Sequence, residues 1–300
     1  MWETPPRSVF RGGFLASNLA STPECTGGAV QAANMNIVVC VKHVPDATAD
    51  RHFEEDETVD RVGVDGLLSE LDEYAVEQAL QIAEKRADEE HRVTALCVGP
   101  EKAVDAVRKS LQMGCHAGVH VVDDLIAGSD SIATSLVLAR AVQKIGESSP
   151  VDLVVCGMAS TDGVMSVIPA MLAERLGLPQ VTMASSVETQ GDQVRIKRDS
   201  DSATDVIGAT MPLVMSVTDQ SGEARYPSFK GIMAAKKKPM VTYGLSELGL
   251  EPEQVGLSVA WTRVADTTAR PPRTAGEVVR DENGSGASGL TQFLVAKKFI

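Results

Sequence analysis

From residue 36 onward the chain alternates short β-branched apolar runs with stretches in which apolar residues recur every three or four positions. The apolar runs predict strands at 36–43, 92–98, 118–122 and 151–156. Between the first two, residues 70–86 place Leu71, Ala75, Ala79 and Ile82 on one helical face. Ala103, Val107 and Leu111 do the same in the next segment, and Ile132, Leu136, Ala139 and Val142 in the one after. Strand, covering helix, strand is the pattern of right-handed βαβ units on a parallel sheet, and it persists to residue 177. Gly99-Pro100 ends the second strand and opens the following helix, whose first turn tolerates proline.

After Gly177-Leu178-Pro179 the period changes. Short strands are predicted at 180–188, 194–198, 204–209 and 213–217, with a turn at Gln190-Gly191-Asp192. This reads as a hairpin-rich extension whose last strands return to the main sheet as antiparallel neighbours. A loop over 219–238 leads to a strand at 240–244 and a helix start at Ser246, where Ser and Glu247 suit a first turn. Residues 1–34 lack periodicity. Glu3 and Glu24 count against a transit peptide, which leaves a disordered extension or a start codon placed too early. Residues 265–289, rich in Thr, Pro, Gly and charge, read as a linker, and 290–300 as an apolar docking segment. The expected division is therefore 1–34, a main domain at 35–264, and a C-terminal linker and docking arm at 265–300.

Composition narrows this picture. Only 4% of the 300 residues are aromatic against 43% hydrophobic, so the core has to be built from Val, Ala, Leu and Ile. The net charge of -13 speaks against nucleic acid or anionic membranes as main partners. No apolar run reaches the ~18 residues of a spanning helix, so a soluble protein is expected. Cys25, Cys40, Cys97, Cys115 and Cys156 show no CxxC spacing and read as small buried hydrophobes of a reducing compartment, the cytoplasm. His43, His52, His91, His116 and His120 show no metal-ligand spacing.

In an open parallel sheet, ligands bind beyond the carboxyl ends of the strands, where strand order reverses. Residues 40–43, 98–100 and 157–163 lie there. The last group, Gly-Met-Ala-Ser-Thr-Asp-Gly, leaves a strand and enters an apolar helix expected over 164–176. Backbone N–H groups at that helix start could take a phosphate, with Asp162 fixing the turn and Gly163 allowing close approach. The alternative makes Asp162 an ordinary helix cap and Gly163 a turn residue. The motif is neither GxGxxG nor a Walker loop. Asp162 and Glu73 are the acids placed near the crevice. No catalytic triad or carboxylate pair can be assembled, so a binding protein fits better than a catalyst.

Residues 225–238 join Arg225, Tyr226, Pro227, Ser228, Phe229, Lys230, Gly231, Ile232 and Met233 to Lys236, Lys237 and Lys238, with no acid. Basic charge on an acidic chain can steer an encounter with an acidic partner through an aromatic anchor. A solvated hairpin tip is the other reading.

Several separate segments then carry a resemblance: 37–45 (IVVCVKHVP), 71–79 (LDEYAVEQA), 157–163 with Pro169, 177–179, 225–238 and 273–276 (RTAG). From Met35 onward the chain resembles the beta subunit of electron transfer flavoprotein. The resemblance implies an α/β fold: a doubly wound, mainly parallel, Rossmann-like sheet binding an adenine nucleotide, with an antiparallel hairpin extension and a protruding recognition loop. It implies a non-catalytic electron carrier, paired with an alpha subunit that holds the redox FAD while the beta subunit holds a structural AMP. Electrons would come from acyl-CoA and related dehydrogenases and leave to a membrane quinone oxidoreductase. By position, the AMP pocket would comprise Cys40, Ser69, Glu70, Leu71, Asp72 and Val98, together with the turn Asp162, Gly163, Val164, Met165, Ser166, Val167 and Ile168. Leu71 would also wall the flavin, and the recognition loop would be the 225–238 arm with Phe229 as its anchor.

The chain departs from the family at several points. Ser69-Glu70 stand where relatives often carry Asn-Pro, and 164–168 are mostly apolar where relatives carry Thr, Gln or Gly. Ser166 and the main chain are left as the phosphate donors of that turn. The hairpin turn is Asp201-Ser202-Ala203 instead of Asp-Gly. A flavin-bifurcating complex, with a second FAD in place of AMP, is the competing expectation. A free-standing stress-type nucleotide-binding protein would need a Gly-rich triphosphate turn, which the sequence lacks.

Overall fold

Strand β1 (Met35–Val41) is buried along its whole length, as a strand covered on both faces must be. The computed structural model describes residues 35–49, 51–86, 90–268, 271, 276, 278–281 and 283–300. The expectation for 1–34 and most of the 273–276 motif lie outside the described residues. The predicted first strand stops at Val41, and a separate strand β2 (His43–Pro45) pairs antiparallel with β3 (Gly66–Leu68). Helix α1 (Glu70–Glu84) follows, with Glu70, Asp72 and Glu73 in its first turn, where the helix dipole favours acids. Then come β4 (His91–Val98), a 3₁₀ turn, α2 (Val104–Met113), β5 (Ala117–Val121), α3 (Ser131–Gly146), β6 (Leu153–Gly157) and α4 (Ile168–Leu176). Asp130 caps α3 by accepting from Ala133 N at 3.0 Å, and left-handed Gly177 ends α4.

The strand predicted at 180–188 is two strands. β7 (Gln180–Ala184) belongs to the main sheet, and β8 (Ser186–Gln190) starts a three-stranded antiparallel sheet with β9 (Gln193–Asp199) and β10 (Thr204–Thr210). The break falls at Ser185, whose amide already bonds Lys197 O of the hairpin at 2.8 Å. β11 (Leu213–Val217) then returns to the main sheet between β6 and β7, and it runs parallel to both. The antiparallel return expected from the hairpin pattern is thus corrected: the three hairpin strands act together as a crossover, which brings the chain back in its original direction. Helix α5 (Phe229–Ala235), β12 (Met240–Tyr243) and α6 (Ser285–Ala296) complete the order. The helix start predicted at Ser246 is only a 3₁₀ turn, Ser246–Leu248.

The central sheet has seven strands in the order β12-β5-β4-β1-β6-β11-β7, every neighbour parallel. Alternate residues of β1 feed two cores. Ile37, Val39 and Val41 pack with α1 and α2, while Val38 and Cys40 pack with α3 and α4. This is the doubly wound α/β architecture. Its buried hydrophobic side chains include no Phe, Tyr or Trp among the described residues, so branched aliphatics fill both layers. Cys40, Cys97, Cys115 and Cys156 are buried free thiols, and burial pushes Cys97 and Cys115 up to about 12. Cys25 lies outside the described residues. Among these residues no helix is long and apolar enough to cross a membrane.

Candidate functional site

Strand order reverses at β1: β4 and β5 follow on one side, β6, β11 and β7 on the other. The crevice beyond the carboxyl ends of β1 and β6 is therefore the switch point of the sheet. Lys42 leaves β1 into it, the 158–167 segment leaves β6, and the N-terminus of α1 closes it from one helical layer.

Two carboxylates organise this edge in opposite ways. Asp72 is buried, and its Oδ2 accepts the Lys42 amide at 2.8 Å. A Cβ at Gly157 would lie 2.4 Å from Asp72 Oδ1 and 2.8 Å from Leu71 O, so only glycine lets the end of β6 pass the start of α1. Burial pushes the Asp72 carboxyl up to about 7, against the pull of the Lys42 amide and charge. The Asp162 side chain is 4% exposed; its Oδ1 lies 2.9 Å from Lys42 Nζ, and Oδ2 pairs with the Arg61 guanidinium. Burial would raise this group too, but the two cations hold it well below the usual carboxylate range. Lys42 Nζ also reaches Ser160 Oγ at 3.4 Å, and Arg61 Nη1 reaches His43 O at 3.4 Å. Two cations face one ionised Asp162 here, and both remain part-exposed, Lys42 at 40% and Arg61 at 29%.

The helix expected over 164–176 begins only at Ile168. The stretch before it is an open turn with Val164 at φ 50° and Ser166 at φ 58°. Left-handed backbone at a β-branched residue is costly and persists only where the surroundings impose it. Gly163 is not left-handed, so the unusual backbone falls on the residues after it. The amides of Met165, Ser166 and Val167 donate to no acceptor among the described residues. α4 has no side-chain cap and no acid in its first turn, and Pro169 near its start lacks an N–H. With Val167 at the N-cap, Asp162 does not cap a helix, which removes that alternative. It bonds the Gly163 amide at 2.7 Å and ties the turn to Lys42.

The predicted pocket residues lie at this same edge. Cys40 is in register with Leu96 and Cys156 near the end of β1, and Val98 ends β4. Ser69 is fully buried, bonds Lys42 O through its amide at 2.9 Å, and leaves its Oγ unpartnered. Glu70 is exposed and Leu71 half-buried. Glu73 is half-buried on α1, 3.8 Å from Lys109 of α2. Sequence reasoning placed Lys42 in the 40–43 candidate segment without a role of its own, and it did not single out Arg61. Lys42 was visible as the first polar residue after an apolar strand; Arg61, inside the acidic 46–65 excursion, gave no local signal.

The 225–238 arm holds the helix α5 rather than a bare loop, capped by Ser228 Oγ, which accepts from Gly231 N at 3.0 Å. Tyr226 is 91% and Phe229 81% exposed, with Ile232 and Met233 part-exposed on the same helix. Two members of the basic run prove not to be free. Arg225 turns inward onto Glu77 and Glu84 of α1, and Lys238 Nζ donates to Leu111 O and Gly114 O at the end of α2. Lys230, Lys236 and Lys237 stay at the surface.

A family model described as the electron transfer flavoprotein domain matches residues 56–248. The electron transfer flavoprotein subunit beta of Mycobacterium tuberculosis is 46% identical over 268 residues, 88% of this chain and 99% of that protein. The subunit of the same name in Megasphaera elsdenii is 31% identical over 272 residues, 89% of this chain and 100% of that protein. The acryloyl-CoA reductase electron transfer subunit gamma of Anaerotignum propionicum is 30% identical over 271 residues, 89% of this chain and 100% of that protein. With the doubly wound sheet, its crevice and its arm in place, the chain belongs to the electron transfer flavoprotein family, among the beta subunits.

Proposed function

We propose that this chain is the beta subunit of a heterodimeric electron transfer flavoprotein, a carrier with no catalytic turnover of its own. It binds AMP in the switch-point crevice and pairs with an alpha subunit that holds most of the FAD. The observation that carries the nucleotide reading is the convergence of Lys42, Arg61 and the free amides of Met165, Ser166 and Val167 at one edge. Part-exposed cations beside unsatisfied N–H groups at a helix start suit a phosphate monoester. The buried, unpartnered Ser69 Oγ supplies a further polar group at the α1 end of the crevice. AMP would thus be held by Cys40, Ser69 to Asp72, Val98 and the Asp162 to Ile168 turn, largely through main chain. Leu71, half-buried at the start of α1, would wall the flavin.

The arm from Arg225 to Met233 would dock primary dehydrogenases, acyl-CoA dehydrogenases among them, through the exposed Phe229 and Tyr226. Electrons would then pass through the FAD to a membrane quinone oxidoreductase, the whole carrier working in the cytoplasm. A second reading, FAD in place of AMP, draws on the apolar surface of Val164 and Met165 beside the crevice, 67% and 59% exposed.

The test is the small-molecule content of the heterodimer co-expressed with its alpha partner, released by denaturation and identified by mass spectrometry. AMP and FAD in equimolar amounts are expected. FAD alone, in twofold excess over the heterodimer, would establish the second reading, and the absence of any adenine nucleotide beyond one FAD would sink the crevice assignment.

A further inference from the structure

The segment between β11 and β12 has to cross from one half of the sheet to its far edge, and it does so over α1 and α2. It is fastened at both ends of that crossing. Ahead of the arm, Gln78 Nε2 of α1 donates to Ser221 O at 2.8 Å. Arg225 then spans two carboxylates of the same helix, with Nε 2.6 Å and Nη2 3.0 Å from the Glu77 oxygens, and Nη1 2.6 Å and Nη2 2.9 Å from those of Glu84. Its own amide reaches Glu77 Oε2 at 3.2 Å. Behind the arm, the Lys238 ammonium takes the carbonyls of Leu111 and Gly114 at 2.8 and 3.1 Å.

Between the fastenings the arm rests on α2, with Ala235 packed against the core. None of the residues of α5 is buried, and a helix of seven residues is too short to persist without outside support. Gly231 does sit hard against α2, where a Cβ would lie 2.6 Å from Gln112 O. Only Tyr226, Pro227 and Ser228 separate the Arg225 clamp from Phe229. The guanidinium fork is planar and rigid, and Glu77 is 7% exposed, so the pair is weakly screened by salt.

We infer that Arg225, with Glu77 and Glu84, is a positioning clamp that holds the Phe229 anchor in its docking pose before a partner arrives, a role that rests on the arm being a docking element. Without the clamp, the ordering of the arm is deferred to the encounter and weakens it. Acting through the pose of Phe229, the clamp bears on the concentration dependence of electron transfer and leaves the transfer step alone.

The experiment uses the heterodimer and follows flavin reduction by a substrate-reduced acyl-CoA dehydrogenase over a concentration series. Variants are Arg225→Lys, Arg225→Ala, Glu84→Gln and, as a control on the docking reading, Phe229→Ala. Glu84 is 58% exposed, so Glu84→Gln preserves the fold even if Arg225→Ala does not. The half-saturating concentration should rise about tenfold in Arg225→Ala, and less in Arg225→Lys and Glu84→Gln, with the plateau rate unchanged. Amide hydrogen exchange should quicken across 226–235 and stay constant in β1 and β6. A Phe229→Ala shift without any shift in Glu84→Gln and Arg225→Lys would overturn the clamp and leave the docking reading standing. No shift in Phe229→Ala would overturn the docking reading, and the clamp with it.

Discussion

Lys42 and Asp162, 120 residues apart in sequence, meet at 2.9 Å across the switch point of the sheet. The pair joins the loop after β1 to the loop after β6, the two segments that border the crevice. Arg61 approaches the same carboxylate from the excursion between β2 and β3, so three stretches of chain converge on one buried acid.

Replacing that acid should loosen all three. Asp162→Asn keeps the shape but leaves Lys42 and Arg61 without their counter-charge, at a cost of about 2 kcal/mol in urea unfolding of the heterodimer. Because the folded-state carboxyl is held below its ordinary range, its contribution is present above the unfolded-state value of ~4 and lost as the pH falls through the folded value. The variant should therefore differ from the parent at neutral pH and converge with it in acid. Equal stability at pH 7 would show that the ion pairs are worth nothing net.

Asp72 should show the opposite sign. Its folded-state carboxyl is pushed up to about 7 by burial, so between the unfolded value of ~4 and 7 the folded state holds a proton that the unfolded chain releases. Stability falls as pH rises through that window, with a slope approaching one proton, and levels off above it. Asp72→Asn should remove the slope and gain on the parent above pH 7. An unchanged stability profile from pH 4 to 8 would mean that Asp72 is ionised throughout.

Much of this was legible in local pattern, because burial on both faces writes itself into a strand. The run at 36–41 needs no tertiary information to be read as central, and α1 declares its start through Glu70, Asp72 and Glu73. What local pattern could not carry is direction and pairing across the chain. The break at Ser185 looks like a continuing strand in sequence, because β7 and β8 are of one character on either side of it. The parallel entry of β11 depends on where three hairpin strands carry the chain, not on the residues of β11. Arg225 sits in a basic run and reads as exposed, yet its partners Glu77 and Glu84 lie 148 and 141 residues away. At the crevice, Cys40, Val98 and the 157–163 loop could be located by strand ends and Ser69 to Asp72 and 164–168 only by the family resemblance, whereas Arg61 could be placed only by the fold.

Phe229 should matter to partners and not to stability. Its ring is 81% exposed, so Phe229→Ala removes no core contact and should leave the thermal midpoint of the heterodimer unchanged. If the ring fills a pocket on a dehydrogenase, its loss costs about 2 kcal/mol or more of docking affinity. Titration of the heterodimer against the dehydrogenase separates the two effects. A lowered thermal midpoint with unaltered affinity would make the ring a packing element of the carrier itself.

The three lysines at the end of the arm should behave as two classes. Lys236 and Lys237 are exposed, and on the docking reading their charge would act over distance on an acidic partner. Neutralising both should slow association and flatten its dependence on ionic strength, with folding unaffected. Lys238 is different: its ammonium satisfies the carbonyls of Leu111 and Gly114 where α2 ends, a favourable place for a cation at the negative end of a helix. Lys238→Met should therefore lower stability by about 1 kcal/mol and change the salt dependence of association little. Stopped-flow flavin reduction at several salt concentrations, paired with urea unfolding of each variant, checks both halves. If Lys238→Met slows association as much as the Lys236 and Lys237 double variant while unfolding at the parent's midpoint, all three lysines steer and the helix-capping assignment fails.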